Sequence, residues 1–292
     1  MRYLKYALKG LQFQNVRQLL LSSEMELCAW NILIHNLRLA NTDYLNKNVI
    51  PILKAFTATQ FQTLFQGSGL RNISTLFWHF NSNDGVFQWQ LPKGIQYHEI
   101  DFLKMLDNSS LADISHFLFN FYFIGRNDYS AYFAELLQKH PGKINQLLEI
   151  ADLKSFEFFI WNLWMALPAG KKPVLQNEDS TLALISEKIE KQLDDHESIL
   201  SLAGVLYFLE WKLPELILKR ISYEKATKLC QKAAKDRKIK VIRMLGGLSA
   251  IDEKCLTKSD KELYMNTLND LTLLTIPNGL YVIKRLKKWL HD

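Results

Sequence analysis

The sequence predicts an all-α fold made of helical units stacked about every 42 residues. Three observations predict it. An eleven-residue frame recurs along the chain at nearly constant spacing, and its apolar positions lie three and four residues apart, as one face of an α-helix requires. The 292 residues also include only 12 Gly and 7 Pro, too few turn formers for a fold of many hairpins. Charged residues at 23% and hydrophobic residues at 48% describe a chain with ample core material.

The frame opens at Leu27 (LCAWNILIHNL), Leu70 (LRNISTLFWHF), Leu111 (LADISHFLFNF) and Leu153 (LKSFEFFIWNL). A weaker copy starts at Ile199, and fainter ones at Val241 and Val282. The starts are 43, 41, 42, 46, 42 and 41 residues apart. Positions 1, 4, 8 and 11 are apolar in the first six copies; the last carries Arg285 and Asp292 at two of them. Asn36, His79, Asn120 and Asn162 share position 10. A polar side chain there is expected to satisfy a free carbonyl near the helix C-terminus.

Between frames the sequence predicts a second helix, seen in Asp101 to Leu106 and in Ala131 to Gln138. Breakers follow it, such as His140-Pro141-Gly142 and Asn108-Ser109-Ser110. Each unit then reads as two antiparallel helices, which cannot bury their apolar faces without neighbours. The stretch around residues 168–180 is the most loop-like and falls at the longest spacing, so it reads as an enlarged inter-repeat loop. A second loop-like stretch runs from Asn81 to Gly94. The whole chain, 1–292, is expected to be one helical-repeat domain.

This period with two helices per unit resembles the HEAT/armadillo class of α-solenoids, whose units run roughly 40–47 residues. Shorter tetratricopeptide and ankyrin periods do not fit. The resemblance covers about residues 25–292 and rests on an apolar pattern, so it speaks to architecture. It implies an α-solenoid of about six to seven stacked helix pairs whose curved surface binds a partner.

Signatures of chemistry are few. Gly67-Ser68-Gly69 and Gly246-Gly247 stand outside any phosphate-loop context and read as a helix-ending turn and a close helix contact. His98-Glu99 and His196-Glu197 lack the second His that would place two metal ligands on one helical face. A lone His such as His116 reads as a packed or surface residue. No G-x-S-x-G string occurs, and Cys28, Cys230 and Cys255 are too scattered for a disulfide framework or zinc site. Reduced thiols and a cytoplasmic location are therefore expected. No apolar run reaches the ~18–20 residues that span a bilayer. No cofactor is expected, and the chain is expected to be non-enzymatic.

The remaining lead is basic. Net charge is +6, with 36 Lys/Arg against 30 Asp/Glu, and residues 171–292 hold most of the excess. Lys225, Lys228, Lys232 and Lys235 fall on one arc of a helix, opposite Ala226, Leu229 and Ala233. Arg237, Lys238, Lys240 and Arg243 follow, and Lys284, Arg285, Lys287 and Lys288 form a second cluster. Trp89, in a loop-like stretch, is a candidate anchor, since Trp is enriched at interface hot spots. The leading expectation is a scaffold that binds a protein or peptide. The alternative is a nucleic-acid-binding, or nucleic-acid-processing, helical-repeat protein using the basic C-terminal third. A solvated outer face is the structural reading of the same lysines. The apolar first segment further suggests self-association or membership of a larger assembly.

Overall fold

Short polar side chains start the helices. In the computed structural model, Asp152 accepts from Ser155 N at 2.7 Å and Asp195 from Ser198 N at 3.1 Å. Ser110 and Asp113 close a reciprocal box, Asp113 N donating to Ser110 Oγ at 3.2 Å and Ser110 N to Asp113 Oδ2 at 3.1 Å. Thr57 and Gln60 do the same at 3.3 and 2.8 Å. Such caps satisfy amide groups that the first helical turn leaves without partners.

The structure describes residues 27–40, 42–65, 68–81, 102–107, 109–123, 127–173, 178–236, 240–251, 256–270 and 277–291. Every regular element among them is helical. The chain divides into two compact units, Met1–Ile124 and Gly125–Asp292. The first holds α1 (Leu27–Ala40), α2 (Thr42–Tyr44 and Ile50–Lys54 joined by a π turn, Leu45–Val49), α3 (Ala58–Phe65), α4 (Leu70–Asn81), α5 (Phe102–Asp107) and α6 (Leu111–Phe123). The second holds α7 (Asn127–Lys139), α8 (Pro141–Ile150), α9 (Leu153–Ala166), α10 (Glu178–Lys191), α11 (His196–Leu209) and α12 (Glu215–Arg220). It continues with α13 (Tyr223–Lys235), α14 (Val241–Ile251), α15 (Lys258–Asp270) and α16 (Pro277–His291).

The recurring frame lies on α1, α4, α6, α9, α11, α14 and α16. Its apolar positions supply much of the core among the described residues. Leu27, Trp30, Ile34 and Leu37 are buried on α1, as are Leu111, Ile114, Leu118 and Phe121 on α6. Leu153, Phe156, Ile160 and Leu163 on α9 and Ile199, Leu202, Leu206 and Leu209 on α11 are buried too. Frame helices meet in chain order: α1 packs on α4 and α4 on α6 in the first unit, α9 on α11, α11 on α14 and α14 on α16 in the second.

Polar bonds repeat this register. Asn31, at frame position 5, donates to the Asn72 carbonyl at position 3 of the next frame (2.8 Å). Asn120 Nδ2 donates to Ser74 Oγ at 3.0 Å. Asn120 therefore ties one frame helix to the one before it, and does not cap its own helix as position 10 was expected to do. His79 likewise faces a neighbour, its ring 5.9 Å from that of His35.

The closest approach is between α11 and α14. A Cβ on Gly204 would stand 1.7 Å from the Arg243 carbonyl oxygen, and one on Gly247 would stand 2.1 Å from that of Leu200. Glycine is required at both sites because the obstacle is backbone. Gly246-Gly247 is thus a close helix contact, as the sequence suggests. The two helices are buried along most of their length.

Two sequence expectations change. His140-Pro141-Gly142 does interrupt the helix, but Pro141 then opens α8, because its missing N–H costs nothing at a first helical position. The segment between frames therefore contains one helix in places and two in others. The expected loop near 168–180 is non-helical through residue 173, whereas α10 begins at Glu178. Lys171 and Lys172 tie this loop to Glu135 (2.8 Å) and Glu210 (3.0 Å). The row of frame helices in the second unit also closes on itself, since α16 packs against α9 as well as α14. There Asn278 Nδ2 donates to the carbonyls of Trp164 (2.7 Å) and Leu167 (2.9 Å), satisfying the end of α9.

Candidate functional site

α13 carries the lysine row. Ser222 caps it, accepting from Lys225 N at 3.4 Å, and Ala226, Cys230, Ala233 and Ala234 bury its inner face. These small side chains let α13 lie close to α14, on which it packs. Lys225, Lys228, Lys232 and Lys235 consequently all point to solvent and are exposed. Lys228 pairs with Glu224 one turn earlier at 2.5 Å, and holds that carboxyl below the usual range through the hydrogen bond and its charge. Lys225, Lys232 and Lys235 have no ion-pair partner among the described residues. Ten residues at 1.5 Å each put this positive row at about 15 Å long.

The other expected basic residues are placed differently. Lys240 pairs with Glu197, and Arg243 is buried against Glu157. On α16, Lys284 and Lys288 are exposed, and Lys287 donates to Asn269 Oδ1 at 2.6 Å. Arg285 is turned inward. Its guanidinium lies 4.0 Å from the centre of the Tyr207 ring, donates to Tyr281 Oη at 2.7 Å and is 3.7 Å from Glu210. Arg285 thus braces α16 against α11. α15 packs on both α13 and α16, so the two clusters sit on helices that flank it. On α15, Glu262 and Asp270 are exposed. Arg237 and Trp89 lie outside the described residues.

Elsewhere, buried ionisable groups are used internally. Lys188 donates to the carbonyls of Glu149 (3.1 Å) and Ala151 (2.6 Å), closing the C-terminal end of α8. Burial lowers its amine pKa. Cys230 is buried and its thiol is pushed far up by desolvation, the opposite of an activated nucleophile. His79 is held at about 4 by burial and by the charges of His35 and Arg38. Burial pushes the Glu157 carboxyl up, and Arg243 draws it part of the way back. Among the described residues no cluster of His, Cys, Asp and Glu has the arrangement of a metal site. No helix among them is long and apolar enough to cross a membrane.

The Glu157–Arg243 pair is the element that sequence reading missed. The available signal was a single acid inside the apolar run from Phe156 to Leu167, and a single Arg inside VIRMLGG. Charges embedded in buried stretches need partners. Comparison of the chain with models of known families, with curated proteins and with solved structures finds no match.

Proposed function

We propose that the protein is a non-enzymatic helical-repeat scaffold, built on HEAT-like stacked helix pairs, that binds a protein or peptide through the surface those helices expose. The observation that carries this reading is the packing of equivalent frame helices in chain order within each unit. The frame-to-frame bond from Asn31 to Asn72 supports it further. Stacked repeats share a continuous core and present an extended outer surface; with α11 and α14 buried along most of their length, the helices between frames supply much of that surface in the second unit. Contacts of α16 with α9 then close the row at its C-terminal end.

A capture experiment with footprinting tests the proposal. The intact chain is used to recover partners from its native lysate, and hydrogen exchange is compared with and without each purified partner. A partner that protects one contiguous face supports the scaffold reading. Turnover of a small-molecule substrate by the purified chain, or binding that protects no surface, contradicts it.

A further inference from the structure

We draw no further inference here: the strongest candidate, the exposed face of α1 formed by Cys28, Ile32 and Leu39, is an apolar surface patch for which nothing in the structure shows what covers it.

Discussion

Glu157 of α9 and Arg243 of α14 form a buried ion pair between two helices that both pack on α11. They lie two frames apart in the chain. At the crossing that brings Arg243 to this position stands Gly204, where any side chain would strike the Arg243 carbonyl. Removing one partner strands a buried charge. Arg243→Met is expected to lower stability by roughly 3–5 kcal/mol, whereas Glu157→Met/Arg243→Met recovers most of that loss. Urea unfolding of the single and double variants measures both. A loss in the double variant equal to the sum of the losses in Glu157→Met and Arg243→Met alone would show that the pair is not coupled.

The α11–α14 contact makes a second expectation. Gly204→Ala places a methyl group against backbone that cannot move aside without separating the helices. About 3 kcal/mol, the upper end of ordinary overpacking, is expected. At Gly142, in the first turn of α8, an added Cβ meets nothing within 4 Å. Gly142→Ala should be neutral or stabilise by about 0.5–1 kcal/mol, since alanine is the better helix former. Thermal melts distinguish the two; equal effects would contradict the close crossing.

Acid should weaken the first unit through His79. Burial comes first among the causes that hold its pKa at about 4, followed by His35 and Arg38. The unfolded chain, with the ordinary His value of 6.5, binds more protons than the folded one between those limits. Stability is therefore complete above pH 6.5 and falls as pH drops toward about 4. His79→Phe should remove this part of the pH dependence. Unfolding midpoints measured from pH 4 to 8 provide the check, and an unchanged slope in the variant would refute it.

Thiol chemistry offers a fourth check. Cys28 is exposed on α1, whereas Cys230 is buried with its thiol pKa driven up by desolvation. In the native protein an alkylating reagent should modify Cys28 within minutes and reach Cys230 only after denaturant is added. Peptide mass mapping reads both sites. Rapid native labelling of Cys230 would mean that α13 is not seated on α14.

The sequence discloses the frame because burial imposes helical periodicity. Leu111, Ile114, Leu118 and Phe121 are apolar for the same reason that they are buried. The lysine row was legible on the same logic, as the complement of the buried alanines on α13. Side-chain destinations across the fold were not. Nothing local reveals that Arg285 turns onto Tyr207, that Asn120 reaches Ser74, or that Asn278 closes the end of α9. Each depends on which helix lies opposite, a choice made by tertiary packing. Gly204 shows the intermediate case. A glycine inside a strong helical pattern signals close approach, but does not identify the approaching helix.

Residue-resolved native-state hydrogen exchange tests the stacking of frame helices most directly. Stacked frame helices should give protection that recurs along the chain with the period of the frame, with its maxima on α6, α9, α11 and α14. The helices between them, including α10, α13 and α15, should exchange faster on their exposed faces. Uniform protection, or maxima on the intervening helices, would contradict it.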